Sequence, residues 1–179
     1  MYMAPSARDY ATMKHNSQSR RDGSPYIAHP GRVAGHVRRV KGDSKNIADI
    51  ESAAWLHDTL EDTDTSFEDI EELYGPSVAA IVKELTSDKE EIAKIGKTAY
   101  LQQKLRGMSS YALIIKLADR LDNVSDLMTA DNPEWARKYA VQTQDILEYL
   151  IDNRELTTPQ LRLIDEINEM VEEALASIK

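Results

Sequence analysis

The sequence predicts an all-α protein, and three observations carry that expectation. Apolar residues recur at three- and four-residue intervals, as in Leu161, Ile164, Ile167, Val171 and Leu175, with acidic residues between them. Proline opens several such stretches, at Pro30, Pro76, Pro133 and Pro159, where a first helical turn tolerates its missing N–H. No apolar/polar alternation runs long enough for a strand, and there is no internal repeat, heptad run or low-complexity tract. Candidate helices cover about residues 6–18, 30–41, 45–61, 66–74, 76–87, 97–106, 110–128, 133–153 and 159–177. Asn132 and Thr158 precede two of the prolines as N-caps, and Thr65 with Glu68 has the spacing of a capping box. The expectation is one helical domain over residues 1–179, of about eight to nine helices, ending in a C-terminal helix within 155–179.

Composition narrows the function classes. A chain of 179 residues suits one domain and is long enough to bury about 70% of its unfolded surface. With no cysteine, disulfides, thiolate zinc sites and a cysteine nucleophile are excluded, which fits a reducing compartment. The 22 basic and 31 acidic residues give a net charge of −9, which argues against a general binder of nucleic acid or anionic membrane. The longest aliphatic run, Val78-Ala-Ala-Ile-Val82, is far short of the ~20 residues of a membrane span. The residues from Met1 to Asp9 lack the apolar stretch of a secretory signal, so a cytoplasmic protein is expected.

Two predicted helices break the amphipathic rule and carry acidic groups out of apolar turns. Ser52-Ala-Ala-Trp-Leu56 is apolar nearly all round and runs into His57-Asp58-Thr-Leu-Glu61-Asp62. Tyr111-Ala-Leu-Ile-Ile-Lys-Leu-Ala118 is apolar except for Lys116 and runs into Asp119-Arg-Leu-Asp122-Asn123, with Ile115 one turn before Asp119. A buried carboxylate is very unfavourable unless paired, protonated or bound to a metal. On a continuous helix the pairs 57/61 and 58/62 are neighbours, so Asp58, Glu61 and Asp62 repel one another. A divalent cation relieves that repulsion, because neutral imidazole and carboxylate are ordinary transition-metal ligands. The competing reading is a solvated acidic helix end.

Other features are weaker alone. His29 precedes Pro30, so its backbone is expected to be extended and its ring to project from a loop–helix junction. His36 shares its face and competes for the same role, whereas His15 is assigned only packing or solvent contact. The competing reading at Asp119 is a helix that turns its polar side to water after residue 118, with Arg120 available for an ordinary surface ion pair. Arg20-Arg21-Asp-Gly23 is a basic turn in an acidic protein, suited to phosphate or to stacking on a purine. Lys89, Lys94 and Lys97 read as a solvated linker between two helices.

The ordered set of motifs is more specific than any of its parts. It comprises Arg20-Arg21, Gly23-Ser-Pro-Tyr-Ile-Ala-His29-Pro, Ala-Ala-Trp-Leu-His57-Asp58-Thr-Leu-Glu61-Asp62-Thr63, Tyr74-Gly75-Pro-Ser-Val, Leu85-Thr-Ser-Asp-Lys89 and Ile-Lys-Leu-Ala-Asp119-Arg-Leu-Asp-Asn123. This resembles the HD superfamily of metal-dependent phosphohydrolases over about residues 10–150. Within it, the chain looks like the hydrolase domain of RelA/SpoT-type proteins and the small alarmone hydrolases. The resemblance implies an HD-type helical fold and four metal ligands, His29, His57, Asp58 and Asp119, holding manganese, although spacing alone also permits iron, zinc or cobalt. It makes Glu61 and Asp62 the carboxylates that orient or activate the attacking water. Asn123 matches a substrate contact near the metal, and Arg20 and Arg21 match side chains that hold guanosine and its phosphates. Lys94, Lys97 and the Arg137-Lys138 pair are expected contacts to the far phosphates, with Tyr139 or Thr143 at an aromatic position of the family. Asp122 stands where relatives often carry histidine or tyrosine.

The implied activity is hydrolysis of guanosine 3′,5′-bis(diphosphate) or its pentaphosphate relative to GDP or GTP and pyrophosphate. Two other readings stay open: another phosphorylated nucleotide or NADPH as substrate, or a nucleotide-binding sensor without catalysis. No synthetase or regulatory segment is recognised, so control is expected from expression, metal supply or assembly into a homo-oligomer.

Overall fold

The computed structural model describes residues 4–178, and its regular structure is helical throughout. Among those residues the only β-type pairing is an isolated bridge between Ser19 and Pro25. The chain divides into two compact units: the first runs up to Ser87 and resumes over Ser109–Asp119, and the second comprises Asp88–Met108 and the chain from Arg120 onward.

The first unit contains α1 (Ala7–Lys14), α2 (Ala28–Lys41), α3 (Ile47–Leu56), the short α4 (Thr59–Asp62), α5 (Phe67–Tyr74), α6 (Pro76–Leu85) and the opening turns of α9 (Ser110–Ser125). The second contains α7 (Lys89–Ile95), α8 (Lys97–Gly107), the end of α9, a 3-10 turn at Leu127–Thr129, α10 (Pro133–Asn153) and α11 (Thr158–Ser177). The nine candidate helices thus become eleven among the described residues. The expected helix 45–61 is broken at His57-Asp58, and α7 forms where a linker was expected. Asp88 explains α7: its carboxylate accepts from the amides of Glu90 and Glu91, a strong N-cap, although the helix buries no residue.

In the first unit α3 is the central element, packed by α1, α2 and α6, while α5 lies on α6. Ile50, Ala53, Ala54 and Leu56 of α3 are fully buried, as are Val33 and Val37 of α2 and Val82 of α6. Gly31 lets α2 approach closely, because a Cβ there would stand 3.0 Å from the Trp55 ring. Ala112 to Ala118 are buried apart from Lys116, as the apolar run predicts. In the second unit α10 packs on α8 and α11.

Three local expectations need correction. The capping box at the start of α5 joins Ser66 and Asp69 rather than Thr65 and Glu68. Thr65 is instead buried, with its hydroxyl 2.8 Å from that of Thr63. At α11 the cap is Thr157, whose amide donates to Gln160 Oε1 at 2.9 Å, so Thr158 is already helical. The face that α11 buries is Gln160, Leu163, Ile164, Ile167, Val171 and Ala174, and Leu161 is 41% exposed. Both tracks obey helical spacing, and the packing of α10 against one of them decides which is buried. No helix among the described residues is long and apolar enough to cross a membrane.

Candidate metal centre

Three separate stretches of the first unit bring His29, His57, Asp58 and Asp119 together. His29 is the second residue of α2, not an extended junction residue as expected from Pro30. Its amide donates to Tyr26 O at 2.9 Å, and the helix simply starts two residues before the proline. At the third helical position the missing proline N–H would have had no intrahelical partner, so nothing is lost. His29 therefore projects from a regular helical turn, buried to 2% exposure.

His57 and Asp58 form the break between α3 and α4. Asp58 has φ −103° and ψ −2°, which ends the regular turn, and Thr59 Oγ1 donates back to Leu56 O at 2.7 Å. The 58/62 relation survives: Asp62 N–H donates to Asp58 O at 2.9 Å. His57 Nδ1 lies 2.8 Å from Ala54 O, and a carbonyl only accepts, so Nδ1 carries the proton. Asp119 arrives from α9 behind the buried Ile115.

The potential ligand atoms of His29, His57 and Asp119 all lie within 4.8 Å of one another. His29 Nε2 is 3.2 Å from Asp119 Oδ1 and 3.7 Å from Asp58 Oδ2. His57 Nε2 is 2.9 Å from Asp58 Oδ2 and 3.9 Å from Asp119 Oδ1. The two imidazoles meet edge to face, with centroids 5.1 Å apart.

The donor set fits a divalent cation. His57 Nε2 is buried with no aligned hydrogen-bond partner, 2.9 Å from Asp58 Oδ2. A neutral ring with its proton on Nδ1 turns the Nε2 lone pair toward two carboxylates, an arrangement that needs a positive charge among the four groups. The protonation equilibria say the same. Burial pushes His57 down, but the carboxylates of Asp58 and Asp119 more than offset it and hold the ring above its ordinary 6.5. Burial likewise pushes Asp58 up, and His57 beside it wins, leaving the carboxyl far below the usual range. Burial pushes Asp119 up too, but the Lys116 ammonium, His29 and His57 together offset it and hold the carboxyl well below 3.8.

Two neighbours escaped sequence reasoning. Lys116 Nζ donates to Asp119 Oδ2 at 2.8 Å. Its signal was a lone charge in an apolar run, three residues before Asp119. The Tyr26 hydroxyl donates to Asp58 Oδ2 at 2.5 Å, and burial together with that carboxylate pushes the phenol far above its ordinary value. Its only signal was its place three residues before His29.

The remaining candidates are placed as follows. Glu61 and Asp62 lie on α4, one turn beyond Asp58, and Glu61 Oε2 accepts the Ser87 amide at 3.0 Å. Arg20 and Arg21 occupy a tight turn closed by Arg20 N–H to Ser24 O at 2.8 Å, with Gly23 at φ +82° and Asp22 accepting from Ser24. His36 lies beside Arg39 and takes no part in the cluster. His15 is buried rather than solvent-facing, and its Nδ1 lies 2.8 Å from Gln18 Oε1.

In the second unit, Lys94 is on α7 with Glu91 at 3.4 Å, Lys97 opens α8, Lys138 and Tyr139 are on α10, and Asn123 is on α9 one turn after Asp119. Arg120 is buried and makes no surface ion pair. Its guanidinium lies over the Tyr139 ring at 4.9 Å and donates to Thr143 Oγ1 at 3.3 Å. Thr143 is fully buried, which leaves Tyr139 as the more exposed of the two residues considered for the aromatic position.

A helical protein whose adjacent His-Asp pair meets a distant histidine and aspartate is the arrangement of an HD domain. The sequence description of the HD domain family matches residues 7–155, and the chain belongs to that family. It is 36% identical over 163 residues to guanosine-3′,5′-bis(diphosphate) 3′-pyrophosphohydrolase MESH1 of Drosophila melanogaster, covering 88% of each chain. The MESH1 of Homo sapiens is 38% identical over 134 residues, covering 73% of this chain and 72% of its own. A guanosine-3′,5′-bis(diphosphate) 3′-pyrophosphohydrolase of Aquifex aeolicus is 38% identical over 149 residues, a match to 78% of this chain and 20% of that longer protein. Among solved structures, a metazoan ortholog of SpoT described as hydrolysing ppGpp superposes with a TM-score of 0.76 at 31% identity, covering 94% of this chain and 97% of that one.

Proposed function

We infer that the protein hydrolyses guanosine 3′,5′-bis(diphosphate), and its pentaphosphate relative, to GDP or GTP and pyrophosphate. One observation carries this reading: the His29–His57–Asp58–Asp119 cluster in a chain that aligns along most of its length with pyrophosphohydrolases of that name. His29, His57, Asp58 and Asp119 are the residues that hold a divalent ion. When bound, that ion supplies Lewis-acid polarisation of phosphate and activation of water. Manganese is the proposed metal, in a set of two imidazoles and two carboxylates with no thiolate.

The other steps fall to the chain's own side chains. Water adds to the phosphorus on the ribose 3′-oxygen and the bond from that oxygen to phosphorus breaks. The water oxygen leaves within pyrophosphate, and the ribose 3′-oxygen takes up a proton. Glu61 and Asp62, one turn from Asp58, are proposed to orient the water and hold its proton. Arg20 and Arg21 offer planar, bidentate donors for phosphate or a flat face for guanine. Asn123, Lys94, Lys97, Lys138 and Tyr139 are proposed as substrate contacts on family resemblance. A small-molecule substrate, a cytoplasmic location and no nucleic-acid partner complete the reading.

The test is direct. Purified protein incubated with manganese and guanosine tetraphosphate is followed by anion-exchange chromatography, with NADPH and other phosphorylated nucleotides in parallel. Equal amounts of GDP and pyrophosphate are expected. An untouched tetraphosphate beside rapid turnover of another compound overturns the substrate. Tight tetraphosphate binding with no turnover of anything overturns catalysis.

A further inference from the structure

The segment between α1 and α2 touches the catalytic turn at both of its ends. At one end the Tyr26 hydroxyl donates to Asp58 Oδ2 at 2.5 Å. At the other, Gln18 Nε2 donates to Asp62 O at 2.7 Å. These residues are 32 and 44 positions away from their partners, so neither bond follows from local helix geometry.

His15 ties the two arms together. Because Gln18 spends its amide N–H on a carbonyl, its Oε1 must be what faces His15 Nδ1 at 2.8 Å, and that nitrogen must carry the proton. The same imidazole lies on the Tyr26 ring, with centroids 4.9 Å apart and planes 38° apart. Tyr26 in turn meets His29 at 5.7 Å, and His29 meets His57 at 5.1 Å. Four rings therefore run in contact from a fully buried histidine of no assigned role to the metal cluster. His15 Nε2 is buried without a hydrogen-bond partner, which marks the ring as held for its position rather than satisfied as a free polar group.

We propose that His15, Gln18 and Tyr26 form a clamp on the Asp58–Asp62 turn, in which Tyr26 is the positioning residue for the Asp58 carboxylate and Gln18 for the carbonyl end that carries Asp62. The proposal rests on the reading of Asp58 as a metal ligand. Tyr26 acts through Asp58: its hydroxyl fixes the rotamer of a carboxylate that would otherwise swing away from two like-charged and lone-pair neighbours when no cation is present. Gln18 holds the last carbonyl of α4 and hence the place where the Glu61 and Asp62 side chains leave the backbone. The two arms make separable contributions, one to metal affinity and one to turnover.

The test uses the full chain carrying Tyr26→Phe or Gln18→Leu. Manganese affinity is read from the spin-resonance signal of free ion, and site geometry from the visible bands of the cobalt-loaded protein. Tyr26→Phe is expected to weaken manganese binding about 10- to 100-fold and to shift the cobalt bands, with the KM at saturating manganese held. Gln18→Leu is expected to keep manganese affinity and lower kcat. Wild-type manganese affinity and cobalt bands in Tyr26→Phe overturn the clamp, as does a Gln18→Leu variant with unchanged kcat. If Tyr26→Phe fails to fold, Gln18→Leu still decides. Wild-type protein that binds manganese but leaves the tetraphosphate intact overturns the functional reading while the Tyr26 comparison of metal affinity stands. Wild-type protein that binds no metal overturns both.

Discussion

His57 presents Nε2 to the carboxylate of its own neighbour, Asp58, at 2.9 Å, while Nδ1 is committed to Ala54 O at 2.8 Å. Adjacent residues meet in this way because α3 stops at Leu56 and the helix restarts as α4 only at Thr59. The relationship makes the ring a base for either a proton or a metal ion, and the two compete.

The competition sets a pH dependence. The folded-state value of His57 is raised above 6.5, so the stabilisation from its protonated form is fully present below 6.5 and is lost as pH rises through the raised value. Over the same range the ring becomes available to metal. Thermal melts with and without manganese are expected to show a metal-induced increase in Tm that grows from about pH 6 to about pH 8. A constant increase across that range removes the proton–metal competition.

Asp119 is expected to be indispensable to the centre. Asp119→Asn keeps the shape but removes the charge that His29 and Lys116 address at 3.2 and 2.8 Å. Manganese retention after gel filtration and tetraphosphate turnover are expected to be lost together. A variant that keeps both shows that Asp119 is not a ligand.

Lys116 has a different signature. It is 17% exposed, and its partner Asp119 10%, so Lys116→Met takes the ammonium away from a nearly buried carboxylate. Without metal, urea unfolding is expected to show a loss of about 1.5–3 kcal/mol, the worth of a charged hydrogen bond. With saturating manganese the loss is expected to shrink, since the ion supplies the missing charge. Equal losses in both conditions place Lys116 outside the electrostatics of the site.

The start of α5 offers a check on local structure. Ser66→Ala removes the hydroxyl that accepts the Asp69 amide and is expected to cost about 1 kcal/mol in chemical denaturation, whereas Glu68→Ala is expected to change stability by less than about 0.5 kcal/mol. The reverse order restores the Thr65–Glu68 cap that spacing alone predicted.

Ile115 supports the site from the core. It is fully buried one turn before Asp119, and Ile115→Ala is expected to lower stability by about 2–5 kcal/mol. A loss below 1 kcal/mol by urea titration denies that this turn of α9 is packed.

The amino-acid sequence by itself determined the helical class, most helix starts, and the chemical types at the centre, because helical period, proline position and apolar runs are properties of neighbours along the chain. His57 and Asp58 stood out for the same reason: two acidic turns leaving apolar ones is a local contradiction that chemistry has to resolve. The tertiary structure alone decided that α3 breaks at His57, that His29 rather than His36 faces the cluster, that α11 buries Ala174 rather than Leu161, and that Tyr26 holds Asp58. Each of these depends on which surfaces pack against each other across tens of residues, and two phases of one helix, or two histidines on one face, are equivalent until a neighbour occupies one side.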